Sequence, residues 1–179
     1  MDKVITLSTT ARHNELVGTF FSDLLALRKR KEVYALYEEC PLVYWGKPNE
    51  EHSLSLVEIE ALKDTEYFRK VTIEELSKVQ PDLMVFMRDN PFLKNDIGTR
   101  TAGRPDLVVE VWSEGNSDTD KNFKKNLYST SEITEHWYVE QDSNAVDCYL
   151  GRNKIAVQDL RNILVTVKNI KFDLKFLAL

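Results

Sequence analysis

The chain has 179 residues, 42% of them hydrophobic and 30% charged, with a net charge of −5. That is the make-up of one globular domain large enough to bury a core, and the acidic balance counts against a sequence-independent nucleic-acid binder without excluding a nuclease whose positive charge is local. No apolar run reaches the ~18–20 residues that cross a bilayer, and the opening MDKVITLSTTARHN has no apolar signal core, so the cytoplasm is the expected location.

Residues 10–29 are predicted to be helical: Val17, Phe20, Phe21 and Leu24 recur at helical spacing, and Ser8, Thr9 or Thr10 can cap the start. The basic run Arg28 to Lys31 ends that helix, where cations favour the negative dipole end, and is read that way in preference to a DNA contact. Residues 32–45 are rich in β-branched and aromatic types and predict one or two strands. GKPNEE, residues 46–51, is a loop. Residues 52–79 are mixed, with a capping-box pattern at Thr72 and Glu75 that predicts a short helix from 72–76. The stretch 46–79 has no linker composition and is taken as an elaboration on a single domain spanning 1–179.

QPDLMVFM, residues 80–87, predicts a short strand, and 88–104 a loop punctuated by Pro, Asn, Asp and Gly. PDLVVEVWS, 105–113, is the second clear strand. A turn follows, with Ser117 and Asp118 as candidate caps for a helix over 121–130 that puts Phe123 and Leu127 on one face. Residues 135–142 and 145–151 predict a hairpin, and 163–179 one or two more strands. This order of helix, strands, helix and strands predicts an α/β (α+β) fold with a mixed sheet flanked by helices. Cys40 and Cys148 have no CxxC partner, which leaves two reduced core thiols as the reading.

The chemistry concentrates in the two strands that begin Pro-Asp. Side chains alternate along a strand, so Asp106, Val108, Glu110 and Trp112 share one face, and Leu107, Val109, Val111 and Ser113 the other. A carboxylate in mid-strand needs a cation, a metal ion or open solvent. Asp106 and Glu110 are four residues apart on one strand, or ~13 Å at ~3.3 Å per residue, too far for one ion. Adjacent strands lie only ~4.8 Å apart, so Asp82 of the first Pro-Asp strand is the better partner for Glu110. Two facing carboxylates suit Mg²⁺, with Mn²⁺ also possible.

The order Pro-Asp, loop, Glu-Val-x-Ser resembles the PD-(D/E)xK nuclease superfamily. In that pattern a lysine stands two residues after the strand acid, and here the slot holds Trp112. The longer stretch from Gly103 to Asp142 is similar to the Uma-two family of restriction-endonuclease-like proteins, in which the lysine is carried on the next helix. Asp120, Lys124 and Tyr128 match that family's helix pattern at four-residue spacings, and Ile133, Glu135, His136, Trp137, Val139 and Glu140 match the segment after it, with His for Tyr and Glu for Asp. Pro81-Asp82 matches the first Pro-Asp, and His13 stands where such proteins often carry a histidine. The match is good over 80–142 and weak before it.

The resemblance implies a restriction-endonuclease-like core and Mg²⁺-dependent phosphodiester hydrolysis of DNA. Asp82, Glu110 and the Val111 carbonyl would hold the metal, and Lys124 would place positive charge by the attacking water or scissile phosphate. Asp106 would orient a second metal or Lys124, or cap its strand. Asp120 would cap the helix or pair with Lys124. A homodimer suits cutting two strands with one site per subunit. Two other classes compete: a nuclease-like fold that binds nucleic acid or protein without cutting, favoured by Trp112, and a structural protein with a solvated acidic sheet face. His13 on a helix surface, His136 and Trp137 in a strand, and His52 are read as structural or inert.

Overall fold

The structure is a computed structural model that describes residues 11–29, 33–38, 42–45, 76–90, 101–102, 104–131 and 133–178. Helix α1 (Ala11–Lys29) precedes strands β1 (Val33–Glu38), β2 (Leu42–Trp45), β3 (Leu76–Val79), β4 (Leu83–Met87), β5 (Thr101–Ala102) and β6 (Leu107–Trp112). Helix α2 (Asp118–Thr130) leads into β7 (Glu135–Glu140), β8 (Ala145–Leu150), β9 (Asn153–Asp159), β10 (Ile163–Val165) and β11 (Lys171–Asp173), and a short 3₁₀ helix spans Lys175–Leu177.

The main sheet has six strands in the order β1-β4-β6-β7-β8-β9. Only β6 and β7 run parallel; the other neighbours are antiparallel. A parallel pair needs a crossover connection, and α2 supplies it between β6 and β7. Smaller sheets join β3-β2-β5 and β10-β11. The sheet is mixed and flanked by helices, as expected.

Two buried clusters sandwich the main sheet. The buried stripe of α1 (His13, Leu16, Val17, Phe20, Leu24, Leu27) repeats every three or four residues, as a helix lying on a core must. It packs with Leu107, Val109 and Val111 of β6, Trp137 and Val139 of β7, and Leu164 and Phe172 of the β10-β11 hairpin. On the opposite face Val108 and Trp112 of β6 join Leu127 and Tyr128 of α2, Ile133 and Tyr138. The alternation read from the sequence therefore holds, but its outcome differs. Every residue of β6 is buried, because α2 covers the acid face. A solvated acidic sheet face is thereby excluded.

Phe20 sits at the centre of the α1 cluster, edge-on to Phe172 at 5.1 Å and to Trp137 at 6.5 Å. Phe20→Ala is expected to cost about 3–5 kcal/mol, the range for emptying a buried aromatic site. Urea unfolding should show a lower midpoint with an unchanged slope.

Several elements differ from the sequence reading. Residues 32–45 form two strands that belong to different sheets. The strand expected at 80–87 begins at Leu83, and Leu76–Val79 forms a separate strand on β2. The helix expected over 72–76 lies outside the described residues except for Leu76, which starts β3. Within the loop expected at 88–104, Thr101 and Ala102 pair in parallel with β2. Strand β9 was not expected at all. Among the described residues no helix is long and apolar enough to cross a membrane. Cys148 is buried and free, its thiol pushed up to about 11 by burial; Cys40 and His52 lie outside the described residues.

Candidate active site

The pairing of β4 with β6 sets Leu83 opposite Val109 and Met84 opposite Val108. Continuing that register by one residue places Asp82 opposite Glu110. The Asp82 carboxylate also accepts a hydrogen bond at Oδ2 from the Val111 N–H at 2.7 Å. The first acid is thus tied to the main chain beside the second, as the strand-spacing argument expects. In a strand, N–H and C=O of one residue face the same neighbour, so the Val111 carbonyl belongs to the Asp82 side as well.

Helix α2 completes the surroundings of Glu110. Ser117 caps it by accepting from the Asp120 N–H at 3.1 Å, and Asp118 and Asp120 in the first turn suit the positive dipole end. Lys124 and Tyr128 are four residues apart and so share a face. Lys124 Nζ donates to Glu110 Oε2 at 2.7 Å, and the Tyr128 hydroxyl donates a short hydrogen bond to Oε1. Glu110 itself is only 1% exposed. Burial pushes its pKa up, Lys124 opposes that, Asp82 adds to it, and the result is about 7. For Lys124, burial works against the ammonium, but the Glu110 carboxylate outweighs it and the pKa is raised. Burial and the adjacent Glu110 keep the Tyr128 phenol protonated.

The remaining expected residues divide. Asp106 is not brought to this cluster. Its carboxylate accepts from the Met87 N–H at 2.7 Å, from Asn90 Nδ2 at 2.7 Å and from Lys168 Nζ at 2.6 Å. These bonds fasten the start of β6 to the end of β4 and to the β10-β11 hairpin. Of the roles expected for Asp106, orienting a second metal or Lys124 or capping its strand, these hydrogen bonds are those of a strand cap. Asp106→Asn is expected to lower stability by about 1–3 kcal/mol, the cost of a disrupted buried network, while leaving divalent-metal affinity, read by calorimetry, within about twofold.

His13 was read as a helix-surface residue and is instead buried at 6% exposure. Its Nε2 lies 3.4 Å from Asp82 Oδ1. The clue was available, since His13, Val17, Phe20 and Leu24 fall on one helical stripe. Tyr128 was singled out only as part of a helix pattern, with no role assigned; its phase with Lys124 was the signal. His136 and Trp137 are packing residues, as expected. His136 Nε2 donates to the Gly151 carbonyl at 2.7 Å, leaving Nδ1 to accept from the Tyr138 hydroxyl at 2.8 Å. Burial lowers the His136 pKa, which favours that neutral form.

Among the described residues, no group of three or more His, Cys, Asp and Glu side chains is gathered for a metal ion. The candidate ligands themselves are oxygens, two carboxylates and a main-chain carbonyl, with the His13 imidazole against one of the carboxylates. That set fits Mg²⁺, which typically takes one or two carboxylates and keeps several waters, and it does not fit zinc. The bonds from Lys124 and Tyr128 do not exhaust Glu110, because a carboxylate has about four acceptor positions.

This cluster lies in a mixed α+β sheet covered by α1 on one face and α2 on the other. A solved structure from Anabaena variabilis, described as "a putative nuclease belonging to DUF820", shares this fold with a TM-score of 0.65 at 13% identity, over 96% of this chain and 84% of that one. The model of the Uma2 family, described as "Putative restriction endonuclease", matches residues 59–166, and the chain belongs to that family. No curated protein matches the chain.

Proposed function

We propose that this protein is a Mg²⁺-dependent DNA endonuclease that hydrolyses phosphodiester bonds, with Asp82, Glu110 and the Val111 carbonyl as metal ligands and Lys124 as the catalytic cation. The observation that carries the reading is the buried cluster itself: Glu110, opposite Asp82 across two strands, is held by Lys124 and Tyr128 from α2. Trp112 occupies the position where a strand lysine would stand, yet a lysine still reaches the strand acid, because α2 delivers one from the helix.

A bound Mg²⁺ supplies Lewis-acid polarisation of the phosphoryl oxygen and lowers the pKa of a water molecule. The chain's own groups do the rest. Asp82 and Glu110 would hold the ion. Tyr128 fixes the Glu110 carboxylate. Lys124, held as an ammonium, faces the charge that develops on the phosphoryl oxygens. His13 supports Asp82 from α1. Mn²⁺ would serve the same ligand set. Two subunits, each with one site, would cut both strands.

The second reading is a nuclease-like module that binds without cutting; the buried Trp112 is the observation that favours it. Titrating Mg²⁺ and Mn²⁺ against plasmid and single-stranded DNA separates the two. The nuclease reading expects metal-dependent cleavage that disappears in Glu110→Ala and Lys124→Ala. Cleavage surviving both substitutions would overturn the site, and binding with no cleavage at any metal concentration would select the second reading.

A further inference from the structure

The three lysines of α2 near this face differ in what neutralises them. Lys124 is paired with Glu110. Lys121 Nζ donates to both oxygens of Glu140, at 2.9 and 3.1 Å. Lys125 forms no ion pair with a described carboxylate. Its Nζ lies 4.9 Å from the centre of the Trp112 ring and 5.4 Å from that of Tyr138. The two rings are themselves stacked, 4.5 Å apart and 28° from parallel, so together they make a fixed seat.

An aromatic face attracts an ammonium through its quadrupole, without carrying a negative charge. Among the described residues Lys125 is therefore positioned but not neutralised, whereas Lys121, 5.2 Å from the same Trp112 ring, is paired with Glu140 and Lys124 with Glu110. A second observation falls at the same place. The Trp112 indole N–H is buried and meets no acceptor among the described residues. Trp112 shares a strand face with Glu110, two residues away, so this seat adjoins the candidate metal site.

We propose that Lys125, seated on the Trp112 and Tyr138 rings, is a subsite for a nucleic-acid backbone phosphate neighbouring the one that reacts at Glu110 and Lys124. The proposal rests on the nuclease reading above and adds to it a residue and a reason for Trp112. The aromatic side chain in the lysine position seats a second cation while Lys124 serves the acid.

The test is the salt dependence of binding to a labelled duplex oligonucleotide, without added divalent metal so that no cleavage intervenes. Each phosphate contact adds about 0.9 to the slope of log affinity against log salt. Lys125→Met is expected to reduce that slope by about one and to weaken binding several-fold irrespective of sequence. Lys125→Arg should keep the slope, as should Lys171→Met on the β10-β11 hairpin. Trp112→Leu should lower the slope with Lys125 still present, and Trp112→Phe, which preserves a ring, should lower it less. If Trp112→Leu fails to fold, Lys125→Met decides alone. An unchanged slope in Lys125→Met, alongside wild-type protein that binds and cleaves DNA, overturns the subsite and leaves the nuclease reading intact. Wild-type protein that neither binds nor cleaves overturns both.

Discussion

Glu110→Gln is expected to lower Mg²⁺-dependent cleavage by about a thousandfold or more. The size follows from what the substitution removes. Glutamine keeps the shape of the side chain, its carbonyl oxygen can accept from Lys124 and its amide N–H can donate to the Tyr128 hydroxyl, so the strand and α2 should stay in place. What disappears is one of two carboxylates facing the candidate ion, and charge stabilisation of several kcal/mol at about 1.4 kcal/mol per tenfold gives that loss. Lys124→Met should cost about 10²–10³, the scale for one preorganised transition-state contact. Initial cleavage rates on plasmid, at saturating Mg²⁺, measure both. Wild-type rates in Glu110→Gln would remove Glu110 from the site.

The same residue sets a pH dependence. Burial first, then Asp82, hold the Glu110 pKa near 7 against the pull of Lys124. Below that value the carboxyl carries a proton that a metal must displace, so Mg²⁺ affinity should fall as pH drops below about 7, approaching tenfold per unit. Above it the affinity should level off. Calorimetric titrations at pH 6, 7 and 8 give the profile.

How much of this was legible in the sequence depends on where each residue sits. The two Pro-Asp strands, the two described α-helices and the face assignment along β6 could be read, because apolar residues repeat at periods of two or 3.6 wherever one face meets a core. The pairing of Asp82 with Glu110 followed from strand spacing alone. Strand β9 escaped because Asn153–Asp159 is an edge strand, exposed or half-exposed along its length, and edges carry no burial pattern to read. Thr101 and Ala102 escaped because two residues are too few to show a period. The burial of Glu110 was hidden for another reason. A strand acid looks solvated until the helix that covers it is placed, and that placement is tertiary. Asp106 illustrates the same limit: its partners Asn90 and Lys168 are 16 and 62 residues away in the chain.

Lys124→Met is also expected to destabilise the protein in a pH-dependent way. Lys124 is buried to 17% side-chain exposure and Glu110 to 1%. Removing one partner of a buried pair leaves the other charge uncompensated, at a cost of about 3–5 kcal/mol. The sign follows from Glu110, whose folded pKa, about 7, lies above its ordinary 4.5. The folded state therefore holds that proton more tightly than the unfolded chain, and stability falls as pH rises from 4.5 through 7. Lys124 limits that fall by stabilising the carboxylate. Without it the Glu110 pKa moves higher still, so the penalty of Lys124→Met should be greater at about pH 8 than at about pH 5 by up to about 1.4 kcal/mol, the cost of the one pH unit above about 7 over which only the wild-type protein ionises Glu110. Urea unfolding at the two pH values measures it, and the double substitution Glu110→Gln with Lys124→Met should lose the pH dependence, since no buried carboxylate remains to be ionised. Equal destabilisation at both pH values would mean that Lys124 contributes packing alone, and that its ammonium does not hold the Glu110 charge in place.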